Sequence, residues 1–230
     1  MLIAMLMAGT TELAAAPLDG RRIPTGSTCF AIERSGASIG QTFQRVRRLR
    51  FAGQDALDIV VHQRVGRSFD MRDHFIVARR TLAPILFDSR RGATVDAPGW
   101  HRLSLRYSPG RITGSRLDAS GRRPIDVALD HAVVDGNLWG ITFAALPLRD
   151  GAAFTVPTWQ YDKGFGTFSV RVVGVEKVTV GTRAEPAWAV EVRTGDGEVA
   201  RYLIGQRPAE LGYRAGPMAQ RIGGDCSDLD

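Results

Sequence analysis

Lysine is almost missing from this 230-residue chain: of its 30 basic residues only Lys163 and Lys177 are lysines, and the rest are arginines. A GC-rich coding bias and selection for guanidinium forks that grip anions bidentately both give that pattern. The arginine pairs at 21–22, 47–48, 79–80, 90–91 and 122–123 are spread along the chain and interleaved with acids. They form no basic stripe and fit no nucleic-acid motif, so nucleic acid is not expected as a partner. Long apolar runs are missing too. The run at 1–8 is far short of the roughly 20 residues that a membrane-crossing helix needs, and no other stretch comes nearer.

The motifs of metal and nucleophile chemistry are also absent. His62, His74, His101 and His131 are scattered, with no H-E-x-x-H and no paired C-x-x-C, so no metal site is expected. His62 and His74 with Asp70 and Asp73 read as a solvated polar loop. There is no G-x-S-x-G elbow and no S-x-x-K pair. Gly164-Phe165-Gly166 is too short to cradle a phosphate, and no strand–turn–helix surrounds it. No catalytic residue and no cofactor are therefore expected. An enzyme would need His62, His74 and Asp73 to converge on one pocket.

What is present is ordinary globular material, 44% hydrophobic and 23% charged, enough for one domain with a buried core. The amino terminus reads as an export signal: the apolar run at 1–8 is followed by Ala14, Ala15 and Ala16, an A-x-A-type cleavage region, although no basic residue precedes it. The organisation expected is a signal peptide at 1–16, a lead-in at 17–28, one β-rich domain at 29–226 and a tail at 227–230. Only two cysteines occur, Cys29 and Cys226. In an oxidising compartment they pair and tie the tail to the first strand; otherwise they are two unrelated thiols. Thr25-Gly26-Ser27-Thr28 before Cys29 is not a lipidation box, so a soluble periplasmic protein is expected.

Short alternating runs broken by glycine-rich turns dominate the chain, which is strand chemistry. Leu57, Ile59, Val61 and Val65 share one face, with Asp58, His62 and Arg64 on the other; Leu103, Leu105 and Tyr107 repeat the pattern, as do Phe168, Val170 and Val172, and Trp188, Val190 and Val192. Gly195-Asp196-Gly197 reads as a tight hairpin. Spacings of about ten residues imply a meander rather than βαβ units. The segment 41–51 breaks the rule, because Phe43, Val46, Leu49 and Phe51 do not keep period two; a bulge near Arg47 and Arg48, or an exposed edge, accounts for it. One segment is helical: Asp135 is placed to cap a run from Leu138 to Ala145 that Pro147 ends. A weaker helix or turn falls at 208–211.

The aromatic residues group around that helix. Trp139 and Phe143 sit on it, and Trp159, Tyr161, Phe168 and Trp188 on the strands beside it. A curved sheet around one apolar helix encloses space that suits an acyl chain or another apolar ligand, or else these rings simply complete a core.

The order of elements resembles bacterial envelope proteins of the lipoprotein-carrier superfamily, the LolA/LolB-like open barrels, and a related exported family of unknown function. The likeness runs over 29–222 and rests on the segments 75–84, 101–114, 137–146 and 164–180. The Thr-Leu-Ala-Pro at 81–84 followed by a strand and a Pro-Gly hairpin looks like the unknown-function family in particular. The resemblance implies an incomplete barrel of eleven or so strands with helix cover, handling lipid or lipid-modified protein without catalysis.

The fold expected is mostly β: an antiparallel meander forming a curved sheet or incomplete barrel, with one main helix packed on or across it. The function expected is a non-catalytic periplasmic binding protein that holds a lipid, acyl chain or lipidated partner. Trp139 and Phe143 form its lid face, Trp159, Phe168 and Trp188 its wall, and Tyr161 and Arg106 meet a polar head. The alternative is a scaffolding envelope protein with a filled core that binds a protein partner. Neither reading fixes the oligomeric state.

Overall fold

A computed structural model describes residues 17–229; the proposed signal segment at 1–16 lies outside the described residues. The strands β1 (Gly26–Arg34), β2 (Ala37–Phe51), β3 (Gln54–Val65), β4 (Phe69–Ala78), β5 (Pro84–Arg91), β6 (His101–Ser108), β7 (Arg111–Asp118) and β8 (Gly121–Ala128) form an unbroken meander. A short β9 (Val134–Asp135) and the helix α1 (Trp139–Ala144) follow. The meander then resumes with β10 (Ala153–Gln160), β11 (Gly164–Val180), β12 (Arg183–Arg193), β13 (Val199–Gly205), β14 (Glu210–Ala215) and β15 (Met218–Ile222).

β15 pairs back antiparallel with β1, which joins the two meanders into one 15-stranded sheet running from β8 to β9. Among the described residues only the short β9–β10 pairing is parallel. The end strands β8 and β9 do not pair, so the sheet is curved but not closed into a barrel. Hairpins dominate because the turns between strands are short. Ser35-Gly36 and Ala52-Gly53 each put two consecutive residues at positive φ (51° and 83°; 48° and 82°), the two-residue turn whose twist matches that of the flanking strands.

The segment 41–51 needs no bulge at Arg47 and Arg48, because β2 stays in continuous register with β3 from Gly40↔Val65 to Phe51↔Gln54. Its apolar residues lie on both faces. Val46 enters the main core, whereas Phe43, Leu49 and Phe51 pack into small clusters on the convex side. The partner β1 reaches only as far as Val46, so Arg47–Phe51 is an edge on that side, the second option the sequence left. The bulge in this part of the sheet falls instead between Ile32 and Glu33.

The concave side holds the main core. Leu57, Phe75, Phe87, Leu105 and Ile112 meet Val156, Phe168, Val190 and Ile204 across the curl, with α1 and its flanks between them. α1 begins at Trp139, and Leu138 stands at its N-cap position without a side-chain bond. Asp135 does not cap it. Its Oδ1 instead accepts from the backbone and side-chain nitrogens of Asn137, both at 2.9 Å, and its Oδ2 accepts from the Tyr107 hydroxyl at 2.7 Å. The short polar side chain turns the chain locally, two residues ahead of the helix, and links β9 to β6 across the interior. The segment 208–211 is not helical: it turns the chain into β14.

Both ends of the domain are tied down. In the lead-in, the amide of Asp19 donates to the Ala145 carbonyl and an Arg22 guanidinium NH donates to that of Leu146, which fixes the end of α1. Cys29 and Cys226 form a disulfide with a Cα–Cα distance of 5.7 Å. Beyond it, Leu229 is buried beside Phe43 on the convex face, and the His62 Nδ1 meets the Leu229 carbonyl at 2.7 Å.

Candidate functional site

The concave face is not filled from end to end. Between α1 and the strands β2–β5 and β13–β15 lies a cleft of about 670 Å³, a volume within the range of small-molecule sites. Trp139 and Tyr161 line it. Phe143, Phe168 and Trp159 do not: they are sealed in the core beneath, where Phe143 packs edge-on against Tyr202 at 4.7 Å and Phe168 at 5.5 Å. Trp188 is half-buried against the same core, away from the cleft. Arg106 points the other way. The alternation that turns Leu103 and Leu105 inward turns Arg106 to the convex surface, where it is exposed. The arginine that lines the cleft is Arg91, on the inward phase of β5 with Phe87 and Ser89.

Two polar clusters line the cleft, and the strands bring each together from distant parts of the chain. In the first, the Glu210 carboxyl of β14 accepts from the Gln220 Nε2 at 3.2 Å and from Gln44. Thr42 donates to the Gln220 Oε1 at 2.8 Å, and the Gln63 Nε2 donates to the Thr42 hydroxyl at 3.3 Å. Gly140 of α1 lies so close that a Cβ there would overlap the Glu210 carboxyl. The glycine therefore lets the helix settle directly on the acid. Trp139, Tyr202 and Tyr213 form a row of rings beside this cluster, with centroid separations of 6.5 Å and 5.4 Å.

The second cluster joins β4, β5, β6 and the residue after β10. Asp73 is hydrogen-bonded to Ser89, its cross-strand partner, yet its Oδ1 has no hydrogen-bond partner. The Arg91 Nε is also buried without one, while the guanidinium lies over the Phe69 ring at 5.3 Å. The buried His101 donates from Nδ1 to the Gly99 carbonyl at 3.0 Å, which leaves its Nε2 to accept from the Tyr161 hydroxyl at 3.2 Å.

Burial dominates the electrostatics of these groups. It pushes the carboxyls of Asp73 and Glu210 up to about 7 and that of Asp135 up to about 6. It also holds His101 below the usual histidine value. A carboxyl whose folded pKa lies above its unfolded one binds more protons in the folded state, so its contribution to stability falls as pH rises between the two values. The window here runs from about 4, the unfolded range, to about 7. His101 acts in the opposite sense, as one group against three. The thermal midpoint is therefore expected to be higher at pH 5 than at pH 8, and Glu210→Gln should flatten the slope. Melts followed by circular dichroism check this; a midpoint that rises from pH 5 to pH 8 contradicts it.

His62, His74 and Asp73 do not converge. Both histidines lie on the convex face, each with its own carboxylate: His62 Nε2 to Asp70 at 3.1 Å and His74 Nε2 to Asp58 at 2.7 Å. Asp73 faces the cleft. Among the described residues no group of three or more His, Cys, Asp or Glu side chains is placed to hold a metal ion, and no helix is long and apolar enough to cross a membrane. What the cleft offers is hydrogen-bonding groups and aromatic faces.

Several cleft residues escaped the sequence reading, namely Thr42, Gln44, Arg91, Glu210 and Gln220, and Asp73 was read there as part of a solvated loop. Each sits at the inward phase of a strand, where a hydrophobic pattern looks for apolar side chains. Their signal was a polar residue in an apolar phase, as in Met71-x-Asp73-x-Phe75.

No curated protein and no solved structure matches this chain. Residues 29–216, almost the whole of the sheet from β1 to β14, match the family described as "Protein of unknown function (DUF3108)". The chain belongs to the DUF3108 family.

Proposed function

We propose that this protein is a non-catalytic binding protein of the bacterial cell envelope, exported to the periplasm, and that its concave face holds an amphipathic ligand: a lipid, an acyl chain or a lipidated partner. The observation that carries the reading is the cleft of about 670 Å³ beneath a short helix, lined both by apolar and aromatic side chains such as Val61, Phe69, Ile141 and Trp139 and by polar ones such as Thr42, Gln44, Glu210 and Gln220. The disulfide between Cys29 and Cys226 is compatible with an oxidising compartment. The likeness to lipoprotein carriers belongs to this proposal. It rests on an open sheet curled round a helix.

The test is a titration with a pyrene-labelled monoacylglycerol, following energy transfer from tryptophan. Saturable transfer is expected, with the half-saturation concentration raised several-fold in Trp139→Phe, because Trp139 lines the cleft while the other tryptophans remain as donors. Transfer that never saturates, or that is indifferent to Trp139→Phe, overturns the reading.

A scaffolding role is the second reading, favoured by the solid packing of Phe143, Phe168 and Trp159 beneath the cleft. It predicts a protein partner recovered with the chain and no saturable uptake of the probe.

A further inference from the structure

We infer that the head group taken by this cleft is neutral and rich in hydroxyls, a sugar or polyol, held by the Glu210 cluster and stacked on the Trp139 ring. The inference rests on the binding reading above and names the ligand class of the same site.

The first support is the chemistry of the cluster. Gln44, Gln63, Gln220 and Thr42 each carry both hydrogen-bond donors and acceptors, and Glu210 adds a carboxyl. Vicinal hydroxyls, which donate and accept from neighbouring carbons, match amide and carboxyl pairs of this kind.

The second is charge. The carboxyls lining the cleft are Asp73, Glu198 and Glu210, against two cations, Arg91 and Lys163. Lys163 is already paired with Asp196 at 2.7 Å. A carboxylate or phosphate head placed against Glu210 would face a buried acid with no cation to compensate it, which is costly.

The third is the row of Trp139, Tyr202 and Tyr213 beside the acid. Tyr202 is buried between the other two, while the partly exposed rings of Trp139 and Tyr213 line the cleft and suit the C–H faces of a pyranose. Finally, Asp73 lines the same cleft and its buried Oδ1 has no donor bound to it; a ligand hydroxyl that reached it would satisfy it.

Calorimetric titration of the full chain with three probes tests this: octyl glucoside and octyl sulfate, both below their micelle concentrations, and methyl glucoside, which has the same head without the chain. Octyl glucoside is expected to bind roughly tenfold or more tightly than octyl sulfate. Glu210→Gln and Thr42→Val should each weaken octyl glucoside several-fold; Glu210→Gln, which removes the acid that opposes an anion, should also narrow the gap by strengthening octyl sulfate, whereas Thr42→Val should leave octyl sulfate unchanged. Thr42→Val removes a hydroxyl at nearly constant volume and serves if Glu210→Gln does not fold. Methyl glucoside binding as tightly as octyl glucoside would identify the source as free sugar. Weaker binding of methyl glucoside would identify a glycolipid. Equal binding of the two octyl probes overturns the head-group inference and leaves the binding reading standing. Tighter binding of octyl sulfate overturns it in favour of an anion held by Arg91. No binding of any probe overturns both.

Discussion

Replacing Cys29 and Cys226 together with serine is expected to lower the free energy of unfolding by up to about 5 kcal/mol. The disulfide joins residues 197 apart in sequence, and closing so long a loop restricts the unfolded chain severely. A domain of this kind has roughly 5–15 kcal/mol in all, so the variant stands near the edge of folding. The structural consequence is local as well. Cys226 leads the tail that buries Leu229 beside Phe43, and Cys29 stands on β1, the strand that links the two meanders through β15 and β2. Losing the bond frees the tail and exposes the seam. Urea denaturation of the oxidised protein and of the double variant measures the difference, and hydrogen exchange should show the largest loss of protection in β1 and β2. A difference below about 1 kcal/mol would mean that the tail holds without its bond.

The second large effect is at Phe143. It is fully buried and touches Tyr202 and Phe168 edge-on, so Phe143→Ala should cost about 3–5 kcal/mol through the cavity it leaves. Trp139 lies one helical turn earlier on the same face of α1, half-buried and open to the cleft. Trp139→Ala should therefore cost clearly less stability while it removes most of the probe binding. The pair separates core from site within a helix of six residues. Denaturation and probe titration on both variants provide the check. Equal loss of stability in the two would mean that Trp139 is a core residue and that the cleft is merely a packing defect.

The strands were legible in the sequence because their inward faces are apolar over most of their length. Leu57–Ile59, Leu103–Leu105 and Phe168–Val172 all alternate as period two requires, and all reach the main core. Legibility failed where polar residues take the inward phase. Thr42 and Gln44 precede Val46 on the concave face of β2, so the segment looked aperiodic, when in fact its two faces carry separate clusters. Asp135 shows the limit of local rules. A cap and a local turn use the same acid before the same kind of segment, and the turn prevailed because Tyr107, 28 residues away in sequence, supplies a buried donor. Arg106 was legible and misread, since the alternation that sends Leu105 inward already sends Arg106 out. The aromatic set divided in the same way: sequence could group Trp139, Tyr161, Phe143 and Phe168 near one helix, but the depth of each depends on the curl of the sheet, which no single strand encodes.

Native mass spectrometry of the protein purified from the periplasm of an expressing cell, with solvent extraction of whatever it carries, tests the central claim most directly. The account predicts a reproducible adduct of several hundred daltons, extractable as a neutral glycosylated or polyol lipid and depleted in Trp139→Ala. A bare mass, together with no saturable uptake of the pyrene monoacylglycerol, would contradict it and leave the scaffolding role in its place.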